Sequence, residues 1–284
     1  MEQKELSGLK QMHSQVRLTL LASLVFFLIG LFALVSHWDS AVPIIIFACV
    51  FRLGAVWWMR RRYNAAWTRV FVTAAAEKKM KPVEYQARET VPETLISDLG
   101  LAPEVRLVPN SLRFHVLRGT LAGCPVTAAE TAFVRVTAAG RQGGRSAAGT
   151  LVTAENALPG EERWVLLYNH PLDGTCPMSE YDHSTWQALP APASLSGAAC
   201  FTENGSYGSL EQAVKILAPL AAGQSLALAA AEGRLSVFVS GSFYAAKPDI
   251  AKAPDEKTLQ SGTIPVLETL EKLLEGLRET KTET

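Results

Sequence analysis

Between Asn169 and His183 the chain gathers His170, Asp173, Cys176, Glu180, Asp182 and His183. Imidazole, thiolate and carboxylate are the ligand types that zinc accepts, so His170, Asp173, Cys176 and His183 are the candidate metal ligands. Their spacing matches no known zinc pattern. His170 and Cys176 lie on a stretch that also carries Pro171 and Pro177, which fixes no common geometry, and a solvated loop is polar in any case. A nucleophilic thiol is the second chemistry to weigh. Cys176 or Cys200 would need a histidine within hydrogen-bonding reach and a lowered thiol pKa. There is no GxSxG elbow and no HExxH helix. The run Gly140-Arg-Gln-Gly-Gly-Arg lacks the Lys-Ser/Thr ending of a phosphate loop and reads as a hairpin turn. His115 sits in an alternating segment and reads as a paired or half-exposed histidine. No catalytic residue and no cofactor is expected, and the balance leans away from an enzyme.

Composition narrows the partners. The 284 residues carry 27 basic and 27 acidic side chains. Lys4, Lys10, Arg17, Arg52, Arg60, Arg61 and Arg62 are concentrated near the start, which leaves the remainder net acidic. A mildly acidic domain without a basic stripe argues against nucleic acid as a partner, because phosphate neutralisation supplies much of that affinity. Cys49, Cys124, Cys176 and Cys200 form no CxxC pair, which suits a reducing compartment better than a disulfide framework.

The elements that would position any site begin with two apolar runs, 18–36 and 41–59, joined by His37-Trp38-Asp39-Ser40. Each has about 19 residues, enough at roughly 1.5 Å per residue to cross a hydrocarbon core about 30 Å thick. They read as a transmembrane hairpin after a polar N-terminus, 1–17. The joining turn carries no base, whereas Arg60, Arg61 and Arg62 flank the far end. The positive-inside rule then places both termini in the cytoplasm, and Trp38, Trp57 and Trp58 mark the two interfaces. Arg52 is the exception inside a span, where charge is costly. It reads either as snorkelling toward headgroups or as a pairing or pathway residue. Gly30 and Gly54 offer close helix contact.

Residues 60–104 read as a basic flank and helical stalk, with Ala65, Ala66, Val70, Phe71, Ala74 and Ala75 at helical spacing. From 105 to 278 the pattern is that of an α+β domain. Short apolar runs punctuated by Gly and Pro give an antiparallel meander. Ser209 and Gln212 have capping-box spacing ahead of a helix with Leu210, Val214, Leu217 and Leu220 on one face and Gly223 at its end. Two strands, 224–231 and 234–240, turn at Glu232-Gly233. Residues 244–262 read as loop. A last helix from near Thr263 shows Ile264, Leu267, Leu270, Leu274 and Leu277 as its stripe, and 279–284 read as a frayed tail. A split into two subdomains near residue 195 is the alternative arrangement.

This order of elements resembles the bacterial family catalogued as domain of unknown function 3137. The residues that carry it are Leu117-Arg-Gly-Thr-Leu-Ala-Gly-Cys-Pro-Val, Ala148-Gly-Thr-Leu-Val, Phe201 ahead of a helix, the hairpin from Leu226 to Val239 and the final helix. The resemblance implies a cytoplasmic α+β domain tethered to the bacterial inner membrane, with no established activity and no catalytic residues to carry over. The leading expectation is a non-enzymatic binding or scaffold module whose partners are the lipid bilayer and a protein or second copy of itself. The alternatives are a membrane-associated enzyme or metal-binding protein using the 170–183 loop, and an accessory subunit of a membrane transport complex that uses Arg52.

Overall fold

The structure is a computed structural model that describes residues 3–39, 41–90, 105–107, 112–136, 142–158, 162–169, 187–203, 208–221, 224–241 and 250–282. It divides into two compact units, Met1–Ala75 with Ala246–Gly262, and Ala76–Ala245 with Thr263–Thr284.

The first unit is helical. Helix α1 runs Gln3–Val35 without a break, so the polar N-terminus and the first apolar run are one helix. It closes at His37, whose positive φ of 55° is the left-handed conformation of a C-terminal cap. There Trp38 N–H donates to Ala33 O and His37 N–H to Leu34 O, the paired bonds of a Schellman ending. The chain returns through α2, Ala41–Phe51, a π-helical turn, Arg52–Val56, and α3, Trp57–Ala76.

Side-chain size is sorted across the α1–α2 contact. Ser23, Gly30, Ala33, Ala41 and Ala48 are buried, whereas Leu18, Phe32, Ile46 and Leu53 are exposed. A Cβ added at Gly30 would lie 2.7 Å from Ile45 Cγ1, so glycine sets that approach, while Gly54 has nothing within 4 Å. Two helices, Lys4–Val35 and Ala41–Ala76, are long and apolar enough to cross a membrane, and in their most apolar stretches 17% and 11% of residues are buried.

Beyond the apolar stretches the helices pack in the ordinary way. Leu6, Leu9, His13 and Val16 of α1 and Tyr63, Trp67, Val70 and Phe71 of α3 are buried. The returning segment adds α5, Glu256–Ser261, where the sequence suggests only loop. Asp255 caps it by accepting from Thr258 N–H at 2.6 Å, and those bonds hold its carboxyl below the usual range.

The second unit holds one ten-stranded sheet whose described pairings are all antiparallel. Its strands are β1 Val83–Thr90, β2 Val105–Leu107, β3 Leu112–Leu121, β4 Cys124–Val136, β5 Gln142–Ala154, β6 Trp164–Tyr168, β7 Gln187–Leu189, β8 Ala199–Thr202, β9 Leu226–Ala231 and β10 Arg234–Ser240. The order is β1-β3-β4-β5-β10-β9-β6-β8-β7, with β2 paired to β4. The sheet therefore continues on both sides of residue 195.

The turns at Ala122-Gly123 and Glu232-Gly233 have positive φ at both central residues, as the tightest hairpins require. Leu226 to Ala230 and Leu235 to Val239 are buried without interruption. These central strands are covered on both faces, so they do not alternate. Helix α4, Leu210–Leu217, and helix α6, Pro265–Thr282, pack together. At Gly276 an added Cβ would lie 2.9 Å from the Gln212 amide nitrogen.

Besides the helix within 244–262, two further expectations change here. The α3 helix of the stalk ends at Ala76, and residues 83–90 are a strand, because Val83 to Thr90 pairs along β3 from Gly119 to Leu112. The tail is helical as far as Thr282.

Candidate functional site

The metal candidates His170, Asp173, Cys176 and His183 lie outside the described residues. Among the described residues no three His, Cys, Asp or Glu side chains converge as a metal would need. Cys200, in β8, is buried, and desolvation pushes its thiol up to about 11. A thiol that stays protonated at neutral pH is a poor nucleophile. Cys124 is buried, its Sγ 3.7 Å from Asn156 O.

His115 occupies an irregularity in β3, with φ of 54°. Its Nδ1 is 2.8 Å from Tyr85 Oη, and the rings stack with centroids 6.1 Å apart. Burial lowers its pKa, and the nearby Glu130 carboxylate opposes that.

Sequence spacing missed a polar junction below α4. Glu162 Oε2 accepts from Ser209 N–H at 3.1 Å, from Ser209 Oγ and from Trp164 Nε1 at 3.3 Å. The Ser209 side chain makes no capping bond of its own to the helix, and Glu162, distant in sequence, accepts from the Ser209 amide that a capping box would pair with the Gln212 side chain. A Cβ at Gly208, where φ is +44°, would meet that carboxylate at 3.0 Å. These bonds give the carboxylate a structural role.

Among the described residues, an arrangement with room for a ligand is found in the helical unit. Arg17, Leu20, Leu21, Leu24, Arg52, Ile250 and Ala251 line an open pocket of about 410 Å³. Positions 17, 20, 21 and 24 follow helical spacing, so α1 contributes one continuous face. Arg52 opens the π-helical turn, an insertion that shifts helical register and recurs at functional sites. The far wall, Ile250 and Ala251, is held to α1 because His13 Nε2 lies 2.9 Å from Ile250 O. Arg52 was singled out by its sequence. Arg17 counted there only as a flanking base, although its spacing to three leucines was the available signal.

The orientation residues fall at the ends of the exposed apolar band. Trp38 is exposed beside Phe32, with ring centroids 6.2 Å apart. At the opposite end the Arg61 guanidinium lies 5.3 Å from the Trp57 ring and that of Arg62 lies 4.7 Å from Trp58. These are cation–π pairs of roughly 0.5–1 kcal/mol each where exposed. Arg60 is exposed next to them.

No protein-family model matches this chain, and no curated protein matches it. Among solved structures, the crystal structure of the mycobacterial trehalose monomycolate transport factor A is similar over 73% of this chain and 94% of that chain, at 10% identity and a TM-score of 0.33. A likeness that distant carries no argument about role.

Proposed function

We propose that the chain is a membrane-anchored binding or scaffold module, with α1 and α2–α3 spanning the bacterial inner membrane and both termini in the cytoplasm. The observation that carries this reading is the sorting by size in the helical hairpin. Small residues fill the helix contact, and large apolar side chains face outward, with Leu18 62% and Leu53 76% exposed. Soluble helices bury their large apolar side chains, whereas lipid solvates them and leaves close packing of small residues as the helix contact. The Trp–Arg pairs at one end and Trp38 at the other support interfacial girdles, and the base-free turn supports the orientation. The ten-stranded sheet would then be the module presented to a partner protein or a second copy, in keeping with the resemblance to the family of unknown function 3137.

Cell fractionation tests the anchor. The full chain should remain in the membrane pellet after alkaline carbonate washing, and reporters fused to either end should both read cytoplasmic. Recovery in the carbonate supernatant would overturn the anchor, and a periplasmic reporter signal would overturn the orientation. Crosslinking in intact cells, followed by purification from solubilised membranes, should capture a specific partner or a dimer. Repeated failure to capture either counts against the scaffold role.

A further inference from the structure

We propose that the Arg17–Arg52 pocket binds one anionic phospholipid of the surrounding bilayer, its phosphodiester on the two guanidiniums and an acyl chain along Leu20, Leu21 and Leu24. The inference rests on the membrane reading above and goes further by assigning a ligand to a particular pocket.

Three features of the pocket converge on that chemistry. First, it is amphipathic. Arg17 stands at the boundary between the polar start of α1 and its apolar run, the leucines follow one and two turns deeper, and Arg52 joins them from the returning helix, next to Phe51, which packs on Phe26. A phospholipid offers both an anionic phosphate for the guanidiniums and hydrocarbon for the leucines. Second, the two positive charges come from different helices, so an anion seated between them bridges α1 and the π-helical turn. Guanidinium is suited to this because its planar donors can pair with two phosphate oxygens at once. Third, among the described residues neither Arg17 nor Arg52 has an acidic partner. In the membrane reading Arg52 lies inside a span, where an unpaired charge is costly, and a lipid phosphate seated between the two guanidiniums offsets that cost. The wall formed by Ile250 and Ala251 makes this a pocket rather than a basic fringe, which separates it from the exposed Arg60–Arg62 run.

The test uses the full chain reconstituted in phosphatidylcholine vesicles containing spin-labelled phosphatidylglycerol or spin-labelled phosphatidylcholine. Electron paramagnetic resonance then reads the ratio of protein-associated label for the two lipids. The ratio should favour phosphatidylglycerol, and R17Q/R52Q should reduce it by about fivefold per guanidinium, the size of one basic side chain's attraction to an anionic surface. Ala251→Trp, which keeps both charges and fills the pocket from its far wall, should reduce it as well. Excess inorganic phosphate should leave the ratio in place.

An unchanged ratio in either variant overturns the inference: in R17Q/R52Q it removes the arginines, and in A251W it reduces the effect to diffuse charge. Loss of the ratio on adding phosphate overturns it too, because the occupant would then be a soluble anion. If the chain fails to float with the vesicles, both this inference and the membrane reading fall. If it floats but shows no preference, this inference alone falls.

Discussion

Glu162 and His115 show how single residues can be legible in type but not in role. From the sequence, Ser209 and Gln212 have the spacing of a capping box. In the structure a carboxylate distant in sequence takes the Ser209 amide, the Ser209 hydroxyl and the Trp164 indole together. No local pattern encodes a partner 47 residues away. Trp164 is 1% exposed, so Glu162→Ala leaves buried donors without that acceptor, and the expected loss is about 1–3 kcal/mol. Chemical denaturation of the full chain in micelles measures it, and an unchanged midpoint would remove Glu162 from the packing of α4. His115 reads from its sequence as a paired or half-exposed histidine, and in the structure its Nδ1 lies 2.8 Å from Tyr85 Oη. Its lowered pKa has a definite sign in stability. The folded state binds fewer protons than the unfolded state, so this contribution is complete above the ordinary histidine pKa and is lost as pH falls from there toward the folded value. Thermal unfolding between about pH 7 and pH 5 should therefore decline less steeply in His115→Gln than in the parent chain. Equal slopes would show that the histidine is not the titrating group.

At the scale of elements, what could be read depended on whether the signal was contiguous. The two apolar runs and the β9–β10 hairpin are unbroken patterns with clear stops, and the structure places helices and strands there. Strand β1 was misread because Ala-rich α3 leads into it and its own residues are mostly polar. Among the described residues it pairs with β3 alone, and such a strand needs little apolar surface, so Val83 and Tyr85 are its main signature. Helix α5 was missed although Asp255 announces it, because two prolines nearby suggested a loop. The π-helical turn at Arg52 has no sequence signal beyond Gly54, since it is a change of register and not of composition. Gly149 was read as part of a strand motif, and the structure supplies the reason for glycine. A Cβ there would sit 2.2 Å from Val239 O and 2.7 Å from the Phe238 ring, at the pairing of β5 with β10. Gly149→Ala must push the two central strands apart, and overpacking of this kind costs about 1–3 kcal/mol. Since the contact is with backbone, the upper end is expected. Gly54→Ala, with no atom within 4 Å, should have a far smaller effect. Parallel melts of the two variants provide the comparison.

At the scale of the whole molecule, the chain is not a linear succession of anchor, stalk and domain. Residues 246–262 return to the helical unit after the sheet is complete, and the final helix then rejoins the second unit. Sequence order hides this, because nothing in a stretch with Pro248 and Pro254 announces a helical partner so far upstream. The return is fastened at both ends. His13 reaches Ile250 O, Pro254 is buried, and a Cβ at Gly262 would lie 2.5 Å from the Phe71 ring. Removing residues 1–75 takes away His13, Tyr63 and Phe71 together, while every strand of the sheet and the Lys79–Glu271 ion pair at 2.6 Å remain. The truncated chain should therefore keep a cooperative sheet transition but lose protection across 250–262. Limited proteolysis should cut there first, at Lys252 or Lys257 with trypsin, whereas the full chain in micelles should resist at those sites. Equal resistance in both chains would show that the returning segment holds its conformation without the helices. Loss of the sheet transition would show instead that the two units fold as one.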